Sequence, residues 1–290
     1  MGWKFETFLL FLGLLFMFGL VDTLKPPKPK RLTDEERMGM DRPAFLDNEV
    51  QQIFEKYVPE FYLHPDEPYP PLPIEKYLET TTRKGNTLVS SLDRHGWHRS
   101  NYSYPSLSSV PCYGHISSEI DYDGQPILRL FYFVTFGFNG SKRILWLFDA
   151  GEHQFDVEHV QVIVDMNTHK VKRVFYGAHG RTDGMWLDAS QIQFTDHHAH
   201  TYMALNGHGM YPTTGTWPRL FFIANDHTEK GEKWTPKNIV RVYSKEEPMT
   251  TDWLAMKGKF GDGHVSAPDI EKLKQVDKHT TLCTRLFLKC

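Results

Sequence analysis

"GEHQFDVEHVQVIVD", residues 151–165, reads as a buried strand with acidic groups and histidines at its start. Side chains alternate along a strand, so Asp156 and Glu158 share one face with the valines at positions 160, 162 and 164. The valines make this face apolar. The two carboxylates therefore continue a core-facing stripe to its rim, where repulsion and lost hydration require a bound proton or a positive partner.

The next residues predict a hairpin partner for this strand. "MNTH" (166–169) reads as a tight connection to the strand-like run "KVKRVFYGAH" (170–179). If pairing starts at positions 165 and 170, antiparallel register places Val164 opposite Val171 and brings His179 opposite Asp156. Two carboxylates and an imidazole should then meet at one end of the hairpin. A register slip of one residue would turn His179 away.

A divalent-cation site is the predicted use of this cluster. The predicted ligands are His153, Asp156, Glu158 and His179. Carboxylate oxygens with imidazole suit Mn²⁺, Zn²⁺ or, where waters and carbonyls complete the shell, Ca²⁺. The alternative is an ion pair without metal, in which Arg173 or His159 neutralises the acids.

The rest of the chain predicts a mainly β fold. The 290 residues, 40% of them hydrophobic, are enough to bury a substantial core. Hairpin signals at 123–124 (Asp-Gly) and 139–140 (Asn-Gly) enclose "PILRLFYFVTFGF", and strand-like runs follow at 143–148, 201–208, 219–226 and 238–243. Helical spacing favours one short helix from Asp47 through Tyr57. We therefore expect an antiparallel β-sandwich, jelly-roll-like, with a few short peripheral helices.

The N-terminal segment predicts entry into the secretory pathway. The run from Phe8 to Val21 is apolar throughout, so residues 1–24 read as a signal peptide or a membrane anchor. Residues 25–45 read as a Pro/Lys-rich linker and residues 46–290 as a single domain. The chain is accordingly expected to be secreted or single-pass membrane-anchored, with membrane association through this segment.

Two sequons, at Asn101 and Asn139, agree with that route and are the predicted glycosylation sites. The cysteines are Cys112, Cys283 and Cys290, so at most one internal disulfide can form, and the spacing leaves its partners open. The charge is nearly balanced, with 33 basic against 36 acidic residues, which argues against nucleic acid as a partner.

Six blocks of sequence, in this order, resemble the relatives of vacuolar protein sorting-associated protein 62. They are residues 56–78, 155–165, 175–186 ("FYGAHGRTDGMW"), 204–216 ("ALNGHGMYPTTGT"), 224–236 ("ANDHTEKGEKWTP") and 258–263. That family commonly shows Gly-Asp-Trp-Glu-His where this chain has Phe-Asp-Val-Glu-His at 155–159. The resemblance highlights His179, His208 and Asp226, each ending a strand-like run. It does not include the histidines at 197, 198 and 200, which are expected in an exposed loop.

A more remote similarity is to the necrosis- and ethylene-inducing peptide-like toxins, with the motif Gly-His-Arg-His-Asp-Trp-Glu. Aligned on Asp156 and Glu158, its ligating histidine falls on His153, whereas the motif's other histidine is Phe155 and its glycine is Glu152. This resemblance implies a secreted β-sandwich that holds a divalent cation and engages sugar head groups of membrane lipids.

Three functions remain open on this reading. The first is cation-assisted binding of a polar ligand, such as a glycan or a lipid head group. For this ligand the predicted contacts are His159, Trp186 as a stacking aromatic, His208 and Asp226. The second is a metal-dependent hydrolase with His208 or Glu158 as general base, for which the sequence offers no nucleophile signature. The third is a non-catalytic trafficking or accessory scaffold in which the acids only order loops.

Overall fold

A computed structural model describes residues 47–144, 148–178, 183–218, 225–242, 253, 258–263 and 265–275. These residues belong to one compact unit, residues 40–290. The N-terminal apolar run, the linker, His179, Cys283 and Cys290 lie outside the described residues. Within the described ranges, no helix is long and apolar enough to cross a membrane.

Within the described ranges, six strands form the main sheet. Their order across the sheet is β10 (Gly184–Asp188), β9 (Val171–Gly177), β8 (His153–Asp165), β5 (Pro126–Asn139), β4 (Cys112–Ile120) and β17 (Ile239–Arg241). The quoted stretch thus lies at the centre as β8, paired along its length with the aromatic strand β5. Because both central strands are β-branched or aromatic on both faces, the sheet can be covered on both sides.

The remaining strands form smaller sheets. A second sheet contains β1 (Glu60–Tyr62), β11 (Phe194–Thr195), β12 (His198–Met203), β13 (Met210–Tyr211) and β16 (Lys233–Trp234). A third contains β2 (Thr81–Lys84), β3 (Thr87–Ser90), β18 (Lys259–Phe260) and β19 (Val265–Ser266). Two hairpins pair β6 (Lys142–Ile144) with β7 (Phe148–Ala150), and β14 (Gly215–Trp217) with β15 (Asp226–Thr228).

Four short α-helices lie wholly within the described ranges. They are α1 (Asp47–Tyr57), α2 (Ile74–Leu78), α3 (Arg94–Trp97) and α4 (Ile270–Lys274). Short 3₁₀ turns lie at Leu107–Ser109 and Ala189–Gln191. The predicted helix at Asp47 is confirmed with the expected bounds. The predicted mainly β, sandwich-like fold with few short helices is confirmed as well, although three pairings, β1 with β12, β4 with β17 and β3 with β18, are parallel.

Each face of the main sheet covers its own core. On one face the valines of β8 pack with Val134 and Phe136 of β5 against α1 and the second sheet, through residues such as Phe61 and Met203. On the opposite face Phe131, Phe133, Val157 and their neighbours pack with α2, Trp97, Phe260 and α4. The period of two in the sequence therefore separates two cores.

The β8–β9 hairpin begins as predicted and then departs from the prediction. Val164 faces Val171, but an irregularity follows, and Ile163 pairs with Arg173. Beyond this point the predicted register is wrong by one residue. The shift moves Arg173 to the face opposite the valines. There it donates two hydrogen bonds to Asp121, at 2.7 and 2.8 Å. In the predicted register Arg173 would place its charge in the apolar core, whereas in the observed register it forms a buried ion pair. This difference is the physical reason for the bulge.

Candidate functional site

Asp156 and Glu158 lie at the end of β8 on the valine face, as the alternation predicts. They pair with Phe136 and Val134 of β5, respectively. Both acids are buried, with 7% and 3% of their surface exposed. The rim of the core therefore carries two carboxylates that have lost most of their hydration.

The imidazole that meets Asp156 comes from the turn after β12. His208 is fully buried, and its Nδ1 donates to Asp156 Oδ2 at 2.9 Å. Its Nε2 lies 3.4 Å from Glu67 Oε1, an ion-pair distance rather than that of a short hydrogen bond. The ring stacks on Phe136, with centroids 3.7 Å apart and planes within 4°. His208 thus sits between two carboxylates, with an aromatic ring against its face.

This position sets the charge of His208. Burial alone would lower the pKa of His208, but the charges of Glu67 and Asp156 outweigh burial and raise it to about 9. The ring is therefore an imidazolium at neutral pH. It supplies a positive partner to Asp156 and Glu67.

Glu67 connects this group to two loops. It lies in the proline-rich segment after β1, and its Oε1 accepts from the backbone N–H of Tyr69 at 2.9 Å. Its Oε2 accepts from the backbone N–H of Asn206 at 2.8 Å. Asn206 and His208 both adopt positive φ, +65° and +54°, in the turn that turns the imidazole inward. We call Glu67, Asp156 and His208 the acid–imidazolium cluster; it ties three separate segments together.

A further buried acid, Asp226, lies beside the same turn. Asp226 in β15 is fully buried, accepts a 2.5 Å hydrogen bond from the Tyr211 hydroxyl and forms an ion pair with Lys142. The backbone N–H of Leu205 donates to the carbonyl of His227 at 2.9 Å, which joins β15 to the turn that carries His208. The two predicted residues His208 and Asp226 are thus brought to one region.

His153 lies at the start of β8, half-buried. Its Nδ1 is 2.8 Å from the carbonyl of Phe155, so Nδ1 donates and Nε2 carries the lone pair in the neutral ring. Phe155 itself adopts positive φ, +59°, and its buried ring packs between Tyr77 and Phe260. This local twist separates His153 from the regular alternation of β8.

His159 and Trp186 lie away from the cluster, on the opposite face of the sheet. His159 packs between Phe133 and Phe175, and burial lowers its pKa to about 4. Trp186 is buried against Phe175, with the guanidinium groups of Arg129 and Arg173 over its ring at 5.8 and 5.3 Å. Neither side chain shares a region with Asp156. The ion pair formed by Asp156 involves His208, whereas Arg173 pairs with Asp121 and His159 lies on the other face of the sheet.

The expectation that the histidines at 197, 198 and 200 lie in an exposed loop is wrong for two of them. His198 and His200 lie in β12 and are half-buried. Nδ1 of His198 contacts the carbonyl of Val58 at 2.7 Å, and Nε2 of His200 lies 2.8 Å from the Thr195 hydroxyl. The pattern His-x-His in a strand places both rings on one face, a signal that the reading as a loop missed.

The two sequons differ in their surroundings. Asn101 is exposed, and its Nδ2 donates to the carbonyl of His95 at 2.9 Å. Asn139 is 5% exposed, and its Nδ2 donates to the carbonyls of Gly140 and Gly151 at 3.1 and 2.8 Å. A glycan on Asn139 replaces one of the two Nδ2 hydrogens, so at least one of these hydrogen bonds would have to break. Glycosylation at either site stays a prediction.

No three His, Cys, Asp or Glu side chains converge on a possible metal position within the part of the chain that the structure describes. The predicted ligands His153, Asp156 and Glu158 follow one another on β8, but Asp156 is turned to His208. The fourth predicted ligand, His179, is outside the described residues. The residue that the sequence did not indicate is Glu67; its only signal was its place in the first block of the family resemblance.

Residues 91–220 match the family model of vacuolar protein sorting-associated protein 62. The match confirms the resemblance found in the sequence. It contains Asp156, Glu158 and His208, whereas Glu67 and Asp226 lie outside the matched range. Two of the three members of the acid–imidazolium cluster are thus within the region shared with this family.

One solved structure is similar at low identity. It is described as the crystal structure of Necrosis and Ethylene inducing Protein 2 from the causal agent of cocoa's Witches Broom disease. The identity is 15%, the TM-score is 0.35, and the similarity covers 65% of this chain and 72% of that chain. No curated protein matches the chain.

Proposed function

We propose that the chain is a non-catalytic binding protein of the secretory pathway that recognises a polar ligand, such as a glycan or a lipid head group, at the acidic end of β8. The supporting observation is the burial of Glu67, Asp156 and Glu158 at one end of a sheet, with an imidazolium between two of them. Buried charge is costly, and groups with strongly shifted pKa values concentrate at functional sites. The family name, which refers to protein sorting, supports the location.

A divalent cation is the second part of this proposal. The tautomer of His153, with Nδ1 held by a backbone carbonyl, is the one that metal-binding histidines commonly adopt. Together with Asp156 and Glu158 it would give a donor set suited to Ca²⁺, Mn²⁺ or Zn²⁺. These side chains do not converge on one metal position in the described part of the chain, so ligand binding is tested with and without the ion.

The test compares the double variant Asp156→Asn, Glu158→Gln with a control, Asp123→Asn, an exposed acid in the β4–β5 turn. Calorimetric titration with Ca²⁺, Mn²⁺ and Zn²⁺, and binding to glycan and phospholipid panels, should give a signal for the unmodified chain and the control that the double variant loses. Equal binding by all three proteins, or by none, contradicts the proposal.

A structural scaffold is the second candidate, and one observation favours it: His208 already supplies a positive charge to Asp156 and Glu67. On this account the cluster only fixes loops. The double variant Asp156→Asn, Glu158→Gln would then unfold more easily than the control but still bind any partner or ligand. Thermal melts measured beside the binding titrations separate the two candidates.

The hydrolase alternative is the least supported. A general base must be unprotonated at working pH and reach the substrate. His208 has a pKa raised to about 9 and no exposed surface. It therefore fits the role of a fixed counter-ion better than that of a base.

A further inference from the structure

One block of the family resemblance, residues 258–263 ("GKFGDG"), takes no part in the acid–imidazolium cluster. It contains β18, in the third sheet, and the start of the turn that follows. Packing explains two of its glycines, because a Cβ on Gly258 would collide with the carbonyl oxygen of Asn86, and one on Gly261 with that of Gln154. Lys259 is exposed, so packing does not explain it.

The close approach at Gly258 places Lys259 beside the β2–β3 hairpin. The backbone N–H of Lys259 donates to the carbonyl of Asn86 at 2.9 Å. In the sheet, Lys259 is aligned with Thr87 of β3 and with Ser266 of β19, and Thr87 is aligned with Lys84 of β2. Residues aligned on neighbouring strands point to the same side of a sheet. These four side chains, the lysine–hydroxyl row, therefore lie in one line across the third sheet.

The donors of this row are available to a ligand. Lys84 and Lys259 are exposed, and Thr87 and Ser266 are half-buried. Within the part of the chain that the structure describes, neither lysine forms an ion pair with an acid and neither hydroxyl makes a hydrogen bond. The row thus offers two ammonium groups and two hydroxyls on one surface.

Sheet protection alone does not account for both lysines. Charge on an edge strand commonly prevents pairing with another chain, and β2, which carries Lys84, is an edge strand of the third sheet. Lys259, however, lies on an inner strand, between β19 and β3. Like charges aligned across a sheet repel each other, and an anion bound between them would relieve this repulsion.

The spacing of the row suits a phosphate group. Neighbouring strands lie about 4.8 Å apart, so the Cα atoms of Lys84 and Lys259 are about 10 Å apart, with Thr87 between them. The flexible four-carbon stems allow both ammonium groups to approach one anion above the Thr87 hydroxyl. Ammonium and hydroxyl donors complement the acceptor oxygens of a phosphate.

We propose that the lysine–hydroxyl row binds a phosphate monoester, carried by a small soluble molecule or by a lipid head group. A monoester bears nearly two negative charges at pH 7, which the two lysines balance, whereas a diester bears only one. This site uses neither Asp156 nor Glu158, so it does not rest on the proposed function.

The experiment uses one probe for each source of phosphate. Glycerol 3-phosphate is titrated into the purified chain and followed by ¹H–¹⁵N correlation spectra. Co-flotation then compares phosphatidylcholine vesicles that contain phosphatidic acid, a monoester, with vesicles of equal charge that contain phosphatidylserine, a diester. We expect binding to at least one of the monoester probes and weaker binding to phosphatidylserine. Binding to phosphatidic acid alone would assign the phosphate to a lipid, and binding to glycerol 3-phosphate alone to a soluble molecule.

The double variant Lys84→Gln, Lys259→Gln should weaken this binding by about fivefold for each lysine, or about 25-fold together. The matched control is Lys170→Gln, Lys237→Gln, which removes the same charge from two exposed lysines outside the third sheet and should change binding less than twofold. Thr87→Val keeps the charge and the shape but removes the central hydroxyl, and it should weaken binding by about threefold.

Circular dichroism verifies that each variant folds, which the exposure of the lysines favours. Loss of binding in the double variant and in Thr87→Val, but not in the control, supports the proposal. Equal loss in the double variant and the control overturns it, because the attraction would then be to positive charge in general. Absence of binding to both monoester probes, or equal binding to phosphatidylserine, also overturns it. Asp156→Asn, Glu158→Gln should retain phosphate binding, so failure of this proposal and failure of the proposed function are distinguishable.

Discussion

Replacement of His208 by asparagine should remove a specific, pH-dependent part of the stability. The folded pKa of His208 is about 9, against about 6.5 in an unfolded chain. The folded state therefore binds the proton more tightly, so this stabilisation is complete below pH 6.5 and is lost as the pH rises to 9. At about 1.4 kcal/mol per pH unit, the gap corresponds to about 3 kcal/mol. Asparagine tolerates the positive φ at this position, so the backbone should be retained.

Urea unfolding between pH 6 and 9.5 measures this contribution. The unmodified chain should lose about 3 kcal/mol of unfolding free energy between pH 6.5 and 9 more than His208→Asn loses over the same range. Lysines and tyrosines titrate in both proteins, so the difference between the two curves isolates the imidazole. At pH 7 the variant itself should be less stable by about 3–5 kcal/mol, because two buried carboxylates face each other without the cation.

Parallel stability curves for the two proteins would refute this reasoning, since they would mean that His208 binds its proton no more tightly in the fold. Should His208→Asn be too unstable to study, Glu67→Gln removes one of the two acids and keeps the shape. It should then show a smaller decline in stability between pH 6.5 and 9 than the unmodified chain.

Three further predictions concern the face of the main sheet opposite the acid–imidazolium cluster and the register of the β8–β9 hairpin. Asp121→Asn should lower stability by about 3 kcal/mol in urea unfolding, because it leaves Arg173 buried without its acid. Burial raises the pKa of Asp121, but Arg173 and Lys172 lower it by more, so the net pKa lies below the usual value. The contribution of Asp121 to stability is therefore present above pH 4 and declines below it. An acid transition unchanged in the variant would contradict this. Gly177→Ala should lower the free energy of unfolding by about 1–3 kcal/mol, because the added Cβ would come 2.7 Å from the carbonyl oxygen of His159. An unchanged melting temperature would argue against the described register. The pKa of His159 is lowered to about 4 by burial, so stability should fall by up to about 3 kcal/mol from pH 6.5 to 4, and His159→Leu should flatten this decline in melts across that range.

The face assignments in β8 follow from the sequence because they depend on local geometry alone. The period of two places Asp156 and Glu158 with the valines, and no long-range contact can change this without a bulge. The one departure, Phe155, adopts positive φ at the end where the regular alternation stops. An aromatic residue gives no local signal for that conformation.

The hairpin register shows where local reasoning fails. Val164 opposite Val171 follows from the short connection, but the bulge depends on the ion pair between Arg173 and Asp121, which are 52 residues apart. The predicted register would place Arg173 on the apolar valine face, which was a reason to doubt that register. Without knowledge of a buried acid on the neighbouring hairpin, the sequence could not specify the slip.

The acid–imidazolium cluster was predictable only in part. The need for a cation beside Asp156 follows from burial of like charges, and the family resemblance highlighted His208. The contact between them spans 52 residues, and the one between Glu67 and Asn206 spans 139. Such distances are set by the packing of three separate segments, which no short pattern encodes.

Whether His208 is the buried counter-ion of Asp156 and Glu67 is tested by its protonation state, measured by long-range ¹H–¹⁵N correlation on a histidine-labelled chain at pH 7.5. We expect both ring nitrogens of His208 to carry protons, while His159 in the same spectrum is neutral with one nitrogen unprotonated. A neutral His208 at this pH would contradict this expectation, because Asp156 and Glu67 would then take their positive partner from elsewhere.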